Sequence, residues 1–225
     1  LSTNPDRLVL ISLERTVTMQ TIFDLSIPLT DALPVYPGDE PPHLRKVNDL
    51  ALDGFNNFHL SATMHTGTHI DGPMHLTKSE TYISELPLER CVGRGCLLNA
   101  FGKNCIQRSP EYELIVRPHS IVLLYTGRSR FFGSKEYFTE YPIVSKELAQ
   151  LLIERQVKML CMDSPSPDRH PFDIHKLLLE NNVLLAENLT NFENLLTIDS
   201  FEVIALPLNI YADSSPARII VRTLE

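Results

Sequence analysis

From Asn57 to His65 the chain alternates, with Phe58, Leu60, Ala62 and Met64 apolar and His59, Ser61, Thr63 and His65 polar. A period of two is that of a strand with one buried face, so the stretch predicts a half-buried strand. Short β-branched or apolar runs bounded by turn residues predict further strands at 22–29, 96–100, 120–125, 157–162, 183–185, 202–207 and 218–222. Two segments follow helical spacing instead. Ser145 is placed to cap a helix carrying Leu148, Leu151 and Leu152 on one face, and Pro171 opens a second with Ile174, Leu177 and Leu178. Strands alternating with helices in the C-terminal half require βαβ crossovers. The predicted class is therefore mixed α/β, β-rich in its N-terminal half and βαβ in its C-terminal half.

The 16 prolines and 9 glycines are scattered as punctuation, and no internal repeat or low-complexity tract interrupts the pattern. A single domain over residues 19–225 is expected. Residue 1 is not Met and regular patterning starts near Met19, so residues 1–18 are expected to be an extension, non-native or disordered. Leu33 to Pro42 forms a proline-rich loop whose X-Pro steps hold the backbone extended, and rigid loops of this kind suit the rim of a site.

Composition narrows the function classes. Hydrophobic residues make up 43% of the 225 positions and charged residues 21%, which excludes intrinsic disorder, collagen-like repeats and coiled coil. The net charge of −8 repels phosphate backbones and anionic lipid headgroups, so neither nucleic acid nor a membrane surface is an expected partner. No apolar run approaches the roughly 18 residues that span a bilayer. Leu8 to Leu13 is too short for a signal peptide and has Asp6 and Glu14 beside it. The 4 cysteines lack C-x-x-C spacing, which suggests reduced thiols in a cytoplasmic protein.

Histidine is the unusual residue. Four of the 8 (His59, His65, His69, His75) cluster, and the segment reads His65-Thr-Gly-Thr-His69-Ile-Asp71-Gly-Pro-Met-His75. Gly67, Gly72, Pro73 and the threonines argue against a helix here. In an extended chain His65, His69, Asp71 and His75 share one parity and project from one face, with Met64, Ile70 and Met74 on the other. Gly67 would leave that face uncrowded. Two imidazoles and a carboxylate are the donors of catalytic Zn²⁺ or Mn²⁺ sites with open positions, and the two oxygens of Asp71 can bridge two ions. His75 lies past the Gly72-Pro73 bend, where it suits a neighbouring acid/base better than a further ligand.

This segment resembles the cyclase family of metal-dependent hydrolases, which includes bacterial kynurenine formamidases, through the pattern H-x-G-T-H-x-D-x-P-x-H. All of its specified positions are present, from His65, Gly67, Thr68 and His69 through Asp71, Pro73 and His75. The resemblance runs over most of the chain from Met19, taking in the loop at Pro34 to Asp39, Tyr125-Thr-Gly127, Met162 to Ser166, Leu206-Pro-Leu and the segment from Asp213 to Arg218.

The resemblance implies a swivelling β/β/α-type domain and a site with two divalent metals, Zn or Mn. His65, His69 and Asp71 would hold one; Asp71, His175 and Glu187 would hold the second, since a later His followed twelve residues on by Glu matches the family spacing. It implies hydrolysis of an amide or lactam C–N bond in a small aromatic or cyclic substrate, with N-formylkynurenine the leading candidate and isatin-type cyclic amides the alternative. A homodimer or homotetramer is implied as well. Tyr36 stands where kynurenine formamidases have Trp, so it is a candidate substrate contact in an altered aromatic pocket. Asp163 could orient a ligand imidazole or simply close a turn, and His43, His59, His119 and His170 match no ligand position. A protein that binds metal or a small ligand without turnover is the non-enzymatic alternative.

Overall fold

The computed structural model describes residues 20–224; the predicted extension over 1–18 lies outside them. Among the described residues twelve strands are formed: β1 (Ile22–Asp24), β2 (His43–Asn48), β3 (Asn57–Ser61), β4 (His69–Asp71), β5 (Val92–Asn99), β6 (Cys105–Ile106), β7 (Ile121–Tyr125), β8 (Ile143–Val144), β9 (Met159–Met162), β10 (Leu184–Glu187), β11 (Phe201–Pro207) and β12 (Ser214–Thr223). The helices are α1 (Leu50–Asp53), α2 (Pro110–Ile115), α3 (Lys135–Thr139), α4 (Lys146–Glu154) and α5 (Asp173–Glu180).

The main sheet runs β1-β12-β11-β5-β7-β9-β10-β4, and β4 also pairs with β12. That last pairing closes seven strands into a barrel-like ring, with β1 laid on the edge of β12. Along β5, β7, β9 and β10 the pairing is parallel, and α2, α4 and α5 make the crossovers. The mixed α/β class with βαβ elements is thus the one observed.

Because helices cover one face of these strands and the ring interior covers the other, β7 is apolar at successive positions instead of alternating. Val122 and Leu124 face Leu148, Leu151 and Leu152 of α4 and Leu178 and Leu179 of α5. Ile121 and Leu123 point inward with Ile70, Met159, Cys161, Val203 and Val221. A glycine is required at 95, since an added Cβ would lie 2.1 Å from the Phe201 ring.

Several local expectations are corrected. The predicted half-buried strand over 57–65 is shorter and more exposed: β3 ends at Ser61, all five of its residues are exposed, residues 62–65 are part-buried outside it, and among the described residues it pairs only with β2, a strand the sequence pattern did not reveal. Phe58 and Leu60 therefore lie on the surface at 59% and 50% exposure, alongside Leu50, Leu52 and Phe55 at the hairpin tip. Ser145 does cap α4, its Oγ accepting from the Leu148 amide at 3.2 Å. Pro171, however, lies before α5, whose N-cap is Phe172 in the left-handed region at φ 61°. No helix among the described residues is long and apolar enough to cross a membrane.

Candidate metal centre

His65, His69, Asp71 and His75 do come together, but not as one face of a continuous strand. His65 sits in a turn, only His69–Asp71 is strand, and His75 ends a short 3₁₀ turn begun at Pro73. The chain reverses at Gly67, which has φ 62°. That left-handed conformation favours glycine there.

Strand register supplies the rest. In the antiparallel β4–β10 pair, Glu187 lies opposite His69 and Leu185 opposite Asp71, so all four side chains share the face that the helices cover. Ile70 faces the barrel interior. On α5, His175 is buried together with Leu178 and Leu179, three and four residues on. This shared face directs its imidazole at the sheet.

The side chains of His65, His69, Asp71, His175 and Glu187 meet within a few ångströms. Asp71 Oδ1 is 3.0 Å from His65 Nδ1 and 3.4 Å from His69 Nε2. Its other oxygen, Oδ2, is 3.2 Å from His175 Nε2. Glu187 reaches both sides, 3.6 Å from His69 Nε2 and 3.9 Å from His175 Nδ1. His69 Nε2, Asp71 Oδ1 and Glu187 Oε1 are buried without a hydrogen-bond partner. Orphaned buried polar atoms of this kind are costly unless an additional group satisfies them.

Electrostatics point the same way. Burial opposes ionisation of Asp71, yet His69, His175 and His65 hold its carboxyl well below the usual range. Glu187 is pushed well above its ordinary value by burial and by the charge on Asp71. Burial lowers His69. Burial would also lower His65, but hydrogen bonds to Asp213 and Asp71 outweigh it and raise the imidazole to about 10. Glu187 and His65 thus retain protons that a divalent cation would displace. The donor set, N and O atoms converging from two sides of Asp71, fits such cations.

The orientation of His69 is fixed by its surroundings. Its Nδ1 donates to the Gly67 carbonyl at 2.8 Å, which leaves Nε2 for the centre. The same carbonyl accepts from Asn188 Nδ2 at 3.0 Å, and Tyr137 donates to Asn188 Oδ1 at 2.8 Å. Residues that support ligands in this way govern ligand geometry.

His65, His69, His175 and Glu187 line a cavity of about 260 Å³ whose walls include Tyr36, Leu76, Phe138, Pro165 and Phe172. Tyr36 lines it, and its hydroxyl lies 3.3 Å from that of Tyr141. His75 also lines it, with its ring 4.1 Å from that of His65.

Asp163 does not touch an imidazole. It accepts from the Thr126 amide at 2.8 Å, the Thr126 hydroxyl at 2.6 Å and the Gly127 amide at 2.7 Å, fixing the chain after β7. Sequence reasoning gave no role to Asp213, which contacts both His65 and His75, or to Asn188, Phe138 and Phe172. Asn188 directly follows a candidate ligand, which is the one local signal that could have drawn attention to it. His43, His59 and His170 are exposed.

Several solved structures share this fold. Isatin hydrolase A from Labrenzia aggregata, bound to benzyl benzoate, has a TM-score of 0.81 at 22% identity, over 92% of this chain and 94% of that one. Isatin hydrolase A from Ralstonia solanacearum has a TM-score of 0.81 at 19% identity, covering 91% and 92%. A protein described as a predicted metal-dependent hydrolase, from Bacillus stearothermophilus, has a TM-score of 0.74 at 22% identity, covering 91% and 99%. The family model Cyclase, described as "Putative cyclase", matches residues 23–169, a span that includes β1, the histidine segment and the parallel strands through β9. This chain belongs to the Cyclase family.

Proposed function

We propose that this protein is a metal-dependent hydrolase that cleaves an amide or lactam C–N bond in a small aromatic or cyclic substrate. The observation that carries the reading is the division of Asp71. One oxygen faces His65 and His69, the other faces His175, and those three imidazoles line an aromatic-walled cavity. His65, His69 and Asp71 would hold one divalent cation, Zn or Mn; Asp71, His175 and Glu187 would hold a second. When bound, such cations supply Lewis acidity toward the substrate carbonyl and favour ionisation of water at neutral pH.

The protein's own groups do the rest. The aromatic walls orient the ring and exclude water, and Tyr36 contacts the substrate. His75 accepts a proton from the attacking water and returns it to the departing nitrogen as the C–N bond breaks. The products are a carboxylic acid and an amine, joined in one molecule when the substrate is a lactam.

Two substrates fit this chemistry. N-formylkynurenine would make the protein an arylformamidase of tryptophan catabolism, whereas an isatin-type substrate would make it a cyclic-amide hydrolase. Among the described residues lining the cavity there is no Lys or Arg, and Asp39 stands among them. An amino-acid carboxylate finds no Lys or Arg partner on such a wall, which favours the neutral cyclic amide. Similarity to the isatin hydrolases supports the same choice.

The proposal includes a cytoplasmic location and a homodimeric or homotetrameric assembly, for which the exposed apolar residues of the β2–β3 hairpin offer a surface. The test is hydrolysis of a panel containing isatin, formanilide and N-formylkynurenine by protein loaded with Zn²⁺ or Mn²⁺. Turnover of any member supports a hydrolase, and the ranking of isatin against N-formylkynurenine decides the substrate. Stoichiometric metal without turnover of any member would instead favour the binding-protein reading.

A further inference from the structure

We infer that Asp213 is a positioning residue that sets the tautomers of His65 and His75 together, leaving one imidazole ready for a cation and the other ready for a proton. The inference rests on the hydrolase reading for its catalytic consequence, but not for its structural content.

Asp213 is far from the histidine segment in sequence and is delivered by β12. Ser214 lies opposite Asp71 in the β4–β12 pairing. The preceding residue, Asp213, therefore reaches the Gly72 bend, where its carbonyl accepts from the Gly72 amide at 3.0 Å. A Cβ at residue 72 would lie 2.6 Å from that carbonyl oxygen, so only glycine allows the approach. The same bend turns the chain toward His75.

A single carboxylate oxygen then serves both rings. Asp213 Oδ2 is 3.0 Å from His65 Nε2 and 3.2 Å from His75 Nδ1. Ser214 Oγ donates to it as well, at 3.3 Å. An ionised carboxylate only accepts hydrogen bonds, so both ring nitrogens facing it carry hydrogen. With a cation beside Asp71, His65 would keep its hydrogen on Nε2, toward Asp213, and turn the lone pair of Nδ1, the atom on the Asp71 side, to that cation. For His75 the unprotonated nitrogen becomes Nε2, the atom left to act as a base. Without Asp213 neither tautomer is specified, since a neutral imidazole can carry its proton on either nitrogen. Carboxylates that orient ligand or base histidines typically change affinity or activity by about 10–100-fold when removed.

The test compares Asp213→Ala, which removes the acceptor, with Asp213→Asn, which is nearly isosteric and can keep an oxygen in place. Nitrogen-15 NMR of the imidazoles in the Zn²⁺-loaded protein reads the tautomers directly. Wild type should show His75 protonated on Nδ1, and Asp213→Ala should lose that preference. With the best substrate of the panel, kcat of Asp213→Ala should fall by about 10–100-fold while KM changes by less than about 2-fold. Asp213→Asn should recover part of the loss. Retention of the Nδ1–H tautomer in both variants, or kcat within 2-fold of wild type, would overturn the assignment. If Asp213→Ala does not fold, Asp213→Asn carries the same NMR and kinetic readouts. If wild type hydrolyses nothing, the hydrolase reading fails while the tautomer measurement still decides the role of Asp213.

Discussion

The carbonyl of Gly67 holds the imidazole of His69 by its Nδ1 at 2.8 Å, two residues along the same chain. A bond this local needs the reversal at Gly67, whose φ of 62° lies in the left-handed region. An alanine there would be strained on two counts, since its Cβ would also approach Leu33 Cδ2 at 3.1 Å. Gly67→Ala should lower unfolding free energy by about 1–2 kcal/mol. It should also weaken metal binding several-fold by tilting His69. Urea denaturation and chelator competition measure the two effects.

The division of Asp71 between two donor sets predicts metal stoichiometry. Protein purified without chelator should contain about two metals per chain, His175→Ala about one, and Asp71→Ala close to none. Elemental analysis of the three proteins reads this directly. Two metals retained in His175→Ala would remove that residue from the proposed second site.

His75 shares Asp213 with His65 and packs beside the rings of His65 and His175, close enough to His65 and Asp71 to compete as a ligand, so the acid/base role needs its own test. His75→Ala should retain wild-type metal content yet lose about 10²–10⁴-fold in kcat, the usual contribution of a positioned acid/base group. Full activity in the metal-loaded variant would refute the assignment.

Metal-free protein should become less stable as pH rises. His65 is raised from an ordinary 6.5 to about 10, so the stability it contributes is complete below about 6.5 and is lost as pH rises through about 10. The upward displacement of Glu187 has the same sign, favouring the folded state while the group keeps its proton. Thermal melts of chelator-treated protein should therefore fall in midpoint between pH 6.5 and 10. Bound cations replace those protons, so the midpoint of metal-loaded protein should fall less, and metal affinity itself should rise with pH. Equal slopes for the two forms would contradict this account.

Local pattern carried much of the architecture. The runs that became β7, β9, β10, β11 and β12 were recognisable because buried strands need continuous or alternating apolar side chains, and α4 because Ser145 and the leucine spacing are local signals. The histidine segment was legible for a related reason: its donors lie within eleven consecutive residues, and its Gly-Thr and Gly-Pro steps exclude a helix. What failed was the inference from period to burial at 57–65. Alternation records which residues share a face, but whether anything covers that face depends on distant segments, and among the described residues only β2 pairs there.

The sequence by itself determined the donor types, their order and the bends between them, because backbone preferences of Gly, Pro and β-branched residues act over a few positions. Only the tertiary structure decided which oxygen of Asp71 meets which histidine, that Glu187 stands opposite His69, and that Asp213 reaches His65 and His75 from β12. Those relationships are set by strand register and ring closure. Both depend on the packing of the whole core, and neither leaves a trace in the spacing of residues along the chain.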